Sequence, residues 1–292
     1  GILIKGSSYM DALAKADTVV FDKTGTLTKG VFEVTTLHPE EMDEKELLHL
    51  AAHVERYSTH PIAVSLRTAF GNEADGCAVE NVEEVAGKGI RTVVNGRTVC
   101  VGNSKMMDAI GAKWKSCDEA GTIIHVAVDG VYAGHIHISD IEKPDAKKAI
   151  AELKALGVGH TVMLTGDREE VAKRVASDLG LDEYHAELLP ADKVSGVEQL
   201  LQNRKEGASL VFVGDGINDA PVLARADIGV AMGAMGSDAA IEAADVVLMD
   251  DQPSKIAKAV RISRSTLAIA KQNIVFEIAV KVGILILAAF GL

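Results

Sequence analysis

At 292 residues, with 48% apolar and 25% charged residues, the chain has the composition of a folded globular protein large enough for two hydrophobic cores. A net charge of −12 argues against an extended nucleic-acid surface. Cys77, Cys100 and Cys117 are widely separated and form no Cys-x-x-Cys pair, which argues against a disulfide framework and a structural zinc site and fits a reducing cytosolic setting.

Residues 1–17 lack the apolar core of a signal peptide. The β-branched, apolar run from Thr18 to Phe21 reads as a buried strand that stops at Asp22, followed by the small and polar residues of a turn. The plainest role for Asp22 is a turn cap. A carboxylate at the carboxyl end of a parallel strand is also where α/β sheets bind ligands. Beyond Val31 the pattern changes. Helices are expected at 43–54, opened by the acidic run Glu40 to Glu44, and at 61–70. Hairpins follow: Asn95-Gly96 and Asp129-Gly130 each join two strand-like runs, a strong hairpin signal. From Asp140 onward, helix-like segments (144–156, 168–179, 191–204, 237–243) alternate with strand-like ones (160–164, 209–213, 227–231, 245–249), which implies βαβ units and a parallel sheet. The expected fold is α/β, a Rossmann-like parallel sheet formed by 1–32 and 139–271, with an α+β antiparallel-sheet domain, 33–138, inserted.

Residues 274–292 carry only two charges, Glu277 and Lys281, so 272–292 reads as the start of a transmembrane helix and the chain as part of a larger membrane protein. A buried amphipathic helix is the alternative. Asn273, Glu277 and Lys281 form one polar stripe on it. Lys281 either pairs with Glu277 or marks a transport path. His135 and His137 share a strand face without a third donor at suitable spacing and are expected to pack, as is Trp114.

Two further strands end like the first. Val162 to Leu164 runs into Thr165-Gly166-Asp167, and Leu210 to Val213 into Gly214-Asp215-Gly216-Ile217-Asn218-Asp219. Lys193 lies between them near a helix start. Carboxylates converging on one edge repel and call for a cation. Oxygen-only donors suit magnesium (Mg2+), which joins one or two carboxylates to phosphate. Lys193 can neutralise a phosphoryl group, and the Thr165 hydroxyl and Gly166 amide can donate to its oxygens. Asp22 is then the nucleophile, forming an acyl phosphate.

Asp22-Lys23-Thr24-Gly25-Thr26-Leu27-Thr28, Thr165-Gly166-Asp167 and Gly214-Asp215-Gly216-Ile217-Asn218-Asp219-Ala220-Pro221 together resemble the phosphorylation-domain motifs of P-type ATPases, within the haloacid-dehalogenase superfamily. The resemblance implies that ATP phosphorylates Asp22, that Asp22, Asp215 and the Thr24 carbonyl bind magnesium, and that Lys193 and Asp219 support the site. Lys23, Thr165, Gly166, Asp167 and Asn218 belong to the same motifs. Soluble phosphatases of that superfamily usually carry a second aspartate two residues after the nucleophile. Here Thr24 stands there, so nothing local activates water and the acyl phosphate is expected to persist.

Glu55, Ser58, His60 and Pro61, followed by Gly87-Lys88-Gly89 and Gly102-Asn103, resemble the adenine-nucleotide pocket of heavy-metal-transporting P-type ATPases. Lys281 is similar to a lysine of the zinc, cadmium and lead branch, whereas copper pumps usually show tyrosine-asparagine. The resemblance implies the ATP-binding catalytic unit of a zinc-, cadmium- or lead-exporting pump on the cytoplasmic face of a membrane. Its partners would be ATP, a divalent heavy metal, and transmembrane and actuator domains outside this chain. Alternatives are the same unit of a copper pump, a soluble haloacid-dehalogenase-type phosphatase, or a non-catalytic nucleotide-binding module.

Overall fold

The computed structural model describes every residue except 73–74, 118–120, 216–218, 234–237 and 290–292, and the backbone alone of 239 and 240. In chain order the strands are β1 Ile2–Ile4, β2 Ala16–Asp22, β3 Thr28–Pro39, β4 Val79–Val85, β5 Gly89–Val94, β6 Arg97–Gly102, β7 Thr122–Val128, β8 Val131–Glu142, β9 His160–Leu164, β10 Glu183–His185, β11 Ser209–Gly214, β12 Ile228–Met232 and β13 Val246–Leu248. The helices are α1 Ser7–Ala14, α2 Glu44–Val54, α3 Pro61–Phe70, α4 Ser104–Ile110, α5 Ala146–Ala155, α6 Glu169–Leu179, α7 Pro190–Asn203, α8 Ala220–Arg225, α9 Asp238–Ala243 and α10 Ser254–Ala289. The chain divides into two compact units, 1–29 with 142–292, and 30–141.

The first unit is built on a seven-stranded sheet in the order β1-β13-β12-β11-β2-β9-β10, parallel except for β1, which runs antiparallel to β13. Its central strands are apolar on both faces because both are covered. Val19 and Phe21 of β2, with Val211 and Val213 of β11, pack against Leu13, Ile150, Leu153 and Val175 on one side. Val20, Leu210 and Phe212 point the other way, onto Val197, Val222 and Leu223. Successive side chains of a strand alternate faces, so a continuous β-branched and aromatic run fills two cores at once.

The second unit is a six-stranded sheet in the order β3-β8-β7-β6-β5-β4, antiparallel from β8 onward. Asn95 (φ 47°) and Asp129 (φ 50°) take the left-handed conformation that two-residue hairpin turns require. Leu47, Leu50, Ala51 and Val54 of α2 cover one face through Val99, Val101 and Val126. Cys100 and Ala127 face the opposite way, onto Met106 and Met107 of α4. Asp43 caps α2, its side chain accepting from the Glu46 amide at 2.7 Å. Trp114 donates to Asp108 at 2.8 Å and packs on the His125 ring. His135 and His137 are packing residues, both buried, with the His135 ring stacked on His38 and His137 Nδ1 2.6 Å from the Thr35 hydroxyl.

The helix that carries the apolar terminus begins well before 272. A single helix runs from Ser254 to Ala289, because no proline or glycine interrupts it before Gly283. Its first half belongs to the sheet unit: Ile256, Ala257, Ala259 and Val260 are buried against the core. Arg264 fastens it there, donating to the carbonyls of Ala14 (2.9 Å), Ala16 (3.3 Å) and Leu156. Its second half is exposed and contains an 18-residue window of mean hydropathy 1.8, long and apolar enough to cross a membrane.

Candidate active site

Register sets three strand ends side by side. Phe21 pairs with Val213 and Asp22 with Leu164, so Asp22, Thr165 and Asp215 leave the sheet at one edge. The order of strands reverses here, with β9 and β10 on one side of β2 and β11 to β13 on the other, the crevice where open α/β sheets bind ligands. After Asp22 the backbone is extended at Thr24 (φ −71°, ψ 129°) and left-handed at Gly25 (φ 72°). A Cβ at Gly25 would lie 1.6 Å from Asp215 Oδ2, so glycine is required both by the dihedral and by the carboxylate that fills the space.

Lys193, on the first turn of α7, donates to Asp22 Oδ1 at 2.5 Å and to Asp219 Oδ1 at 3.2 Å. Asp22 is only 5% exposed and Asp219 3%. Burial, and next the Asp219 charge, push the Asp22 carboxyl up to about 7 against the pull of Lys193. Burial and Asp219 likewise raise Asp215 to about 6. Burial works against the Lys193 ammonium, but Asp22 and Asp219 outweigh it and its pKa is raised. One lysine therefore does not neutralise the edge. Oxygens of Asp22, Asp215 and Asp219 lie within 4.8 Å of one another, and such a crowded, charge-deficient set of hard donors fits a Mg2+ ion.

The remaining motif residues surround this centre. The Thr165 hydroxyl is buried and accepts from the Asp167 amide at 3.1 Å, which leaves its own hydrogen to donate. Gly166 leaves room beside the Leu188 carbonyl. Lys23 is buried and paired with Asp167 Oδ2 at 2.6 Å, so these two brace each other beside the site. Thr24 is exposed. Asn218 lies outside the described residues.

Lys143 was not foreseeable. Its buried ammonium donates to the Gly25 carbonyl and to Asp251 at 2.8 Å, which pins the turn after Asp22 and opposes the rise at Asp215. It belongs to no local pattern, and only the fold brings it to the site.

In the other unit, Glu55, Ser58, His60 and Pro61 form the turn from α2 to α3. The Ser58 hydroxyl accepts from the His60 amide at 3.2 Å, and His60 Nδ1 caps α3 through the Ile62 amide at 3.3 Å. Arg67 holds the turn from behind, donating to the carbonyls of Glu55 (2.6 Å) and Ser58 (2.8 Å). Burial raises the Glu55 pKa against Ser58, His60 and Arg67, with a further push from Glu84. Gly89 pairs with Gly102 across β5 and β6. A Cβ on Gly89 would strike the Val101 carbonyl oxygen at 2.1 Å, and one on Gly102 the Lys88 carbonyl oxygen at 2.1 Å, so bare backbone is presented there. Asn103 ties this edge together, its amide side chain donating to the Gly87 carbonyl at 2.9 Å while it caps α4. Lys281, on the exposed half of α10, pairs with Glu277 at 2.5 Å.

Residues 16–227 match the family model of haloacid dehalogenase-like hydrolases. The chain belongs to that family. Over its full length the chain is 53% identical to a zinc-transporting ATPase of Synechocystis and 53% identical to a cadmium, zinc and cobalt-transporting ATPase of Bacillus subtilis. It spans 40% and 42% of those two proteins. Among solved structures, a zinc-transporting PIB-type ATPase in its E2.Pi state matches all of this chain and 48% of its own at 37% identity and a TM-score of 0.88. A solved catalytic domain of a CPx-ATPase, described for its conformational changes upon nucleotide binding, matches 89% of this chain and 95% of its own at 31% identity and a TM-score of 0.67. In sequence and fold, the α/β sheet with its separate antiparallel sheet thus matches a region of these P-type ATPases and a CPx-ATPase catalytic domain.

Proposed function

We propose that this chain is the ATP-binding catalytic part of a membrane pump that exports zinc, cadmium or lead, and that Asp22 carries the phosphoryl group between ATP and water. The observation that carries this reading is Asp22 itself, at the switch point of the sheet with Lys193 at 2.5 Å and two further carboxylates converging on it. An Asp22 oxygen bonds to the γ-phosphorus as the bond to the bridging oxygen breaks, and the electron pair departs on ADP. Lys193 favours the ionised form of the attacking carboxylate and draws the phosphoryl oxygens, while the Thr165 hydroxyl and Gly166 amide donate to them. Asp22, Asp215 and the Thr24 carbonyl would hold Mg2+, which when bound neutralises charge between carboxylate and phosphoryl oxygens. Thr24 offers no acid or base, which leaves the acyl phosphate long-lived.

The α2–α3 turn and the β5–β6 edge, with Glu55, Ser58, His60, Pro61, Gly87, Gly89, Gly102 and Asn103, hold the adenine nucleotide. The exposed half of α10 continues towards the membrane, with Lys281 a candidate for the transport path, and puts the two units on the cytoplasmic face. Transmembrane and actuator domains of the parent complete the cycle. The names of the relatives support a divalent zinc-class cargo over copper.

Terminally labelled ATP with Mg2+ tests the reading. An acid-stable, hydroxylamine-labile adduct is expected on this chain, and none on Asp22→Asn. Equal labelling of the asparagine variant would overturn the assignment. Steady phosphate release from small phosphomonoesters with no adduct would make the chain a phosphatase instead.

A further inference from the structure

A second cluster of metal donors lies in the 30–141 unit and shares no donor with the carboxylates around Asp22. His49 and His53 are one turn apart on α2, so both imidazoles leave the same helix face. Both direct Nε2 at one oxygen, Asp75 Oδ2, at 2.9 and 3.0 Å. Cys77 Sγ lies 3.2 Å from the same nitrogen of His49. All four donor atoms fall within 4.8 Å of one another. The Phe70 ring lies against both imidazoles, at centroid distances of 5.2 and 5.6 Å, and holds their orientation.

Hydrogen bonding alone explains this arrangement poorly. Two histidines and one aspartate satisfy each other without a sulfur, yet the thiol is drawn into the same point. Its sulfur also accepts from the Asn95 amide at 3.1 Å. The Asp75–Gly76–Cys77 stretch is folded back on itself to present both donors, with the Cys77 amide donating to Asp75 Oδ1 at 3.1 Å. Bond lengths of about 2.0–2.3 Å to nitrogen, oxygen and sulfur at tetrahedral angles put donors roughly 3.3–3.6 Å apart. Three of the donor contacts, at 2.9, 3.0 and 3.2 Å, lie close to these separations, and all the donor atoms fall within 4.8 Å.

We propose that His49, His53, Asp75 and Cys77 form a four-coordinate site for a zinc-class divalent cation. A mixed nitrogen, sulfur and oxygen donor set of this kind suits zinc, cadmium and cobalt and disfavours magnesium or calcium. The spacing of cysteines could not reveal it, because two of the donors come from a helix and only one is a thiolate. Occupancy would clamp the segment after α3 onto α2, two residues ahead of Glu55. The site stands independently of the phosphoryl chemistry.

Cobalt(II) added to the chelator-treated 292-residue chain in detergent, without thiol reductant, reads the site directly. One equivalent is expected to give a near-ultraviolet thiolate-to-cobalt charge-transfer band and the intense visible bands of tetrahedral cobalt, both removed by zinc. Cys77→Ser should abolish the charge-transfer band. His49→Gln and Asp75→Asn should weaken binding by at least about tenfold, the loss that removing even an outer partner of a ligand brings. Cys117→Ser and Asp22→Asn should leave the spectrum unchanged, since carboxylates alone give no sulfur band. No charge-transfer band, one that survives Cys77→Ser, or one lost in Cys117→Ser overturns the proposal. His53 is buried, so His53→Gln is read only beside its far-ultraviolet spectrum; if it fails to fold, the more accessible His49 and Asp75 decide the matter.

Discussion

Replacing Lys193 by methionine removes a buried ammonium while keeping its stem. The ammonium sits 2.5 Å from Asp22 and 3.2 Å from Asp219, and the three side chains are 14%, 7% and 4% exposed. At an effective dielectric of about 20 each contact is worth roughly 5–7 kcal/mol before desolvation. Desolvation cancels most of this, and breaking a buried pair by removing one partner leaves a net cost of about 3–5 kcal/mol. The cost depends on pH with a definite sign. Asp22 is already raised to about 7, so at pH 6 it is largely protonated and needs Lys193 less; at pH 8 the wild type carries the charge and the variant must either bury it unpaired or hold a proton. Denaturant melts of Lys193→Met without Mg2+ should therefore show a larger loss at pH 8 than at pH 6. Labelling by terminally labelled ATP should fall about 100-fold or more, which corresponds to some 3 kcal/mol. Labelling within roughly threefold of wild type, or an equal stability loss at both pH values, would refute the assignment of Lys193 as the cation of the site.

Gly25→Ala should eliminate labelling while far-ultraviolet dichroism stays native, because its Cβ would displace Asp215 Oδ2 from 1.6 Å and the φ of 72° adds about 1–2 kcal/mol of strain; retained labelling would mean Asp215 is dispensable. His60→Ala should weaken ATP binding, measured calorimetrically, yet leave reaction with acetyl phosphate largely intact, and equal loss of both would remove His60 from the pocket. Burial first, then the His135 charge, lowers His125 to about 4, so its unfolded form binds the proton first and stability should drop as pH falls from about 6.5 towards 4; His125→Phe should flatten that slope between pH 7 and pH 5, and an unchanged slope would point to another group. Arg264→Met breaks three hydrogen bonds to backbone carbonyls and should cost about 2–3 kcal/mol in a denaturant melt.

Much of this was legible from local patterns. Asp22, Thr165 and Asp215 each follow an apolar run, and a parallel sheet lines up such ends without further information. The hairpins at Asn95 and Asp129 were legible because two-residue turns have few solutions. Long-range partners were not. Lys143 reaches the Gly25 carbonyl and Asp251 across 118 and 108 positions, and nothing near it in sequence distinguishes it from a solvated lysine. The helical half of α10 before residue 272 was missed because its buried face is made of small alternating residues beside charged ones, a weak periodic signal that packing on α1 and α5 completes. The donors His49 and His53 read as helix polarity until Asp75 and Cys77 are folded onto them.

Arg264 gives the molecule a load path. A helix of 36 residues without a break before Gly283 is a strut about 54 Å long, stiff against bending. Its grip on the Ala16 carbonyl lies at the start of β2, and Asp22 lies at the other end of that same strand. Force applied to the apolar end of the strut therefore arrives at the root of the strand that carries Asp22, through one guanidinium and six peptide links in an extended, unyielding chain.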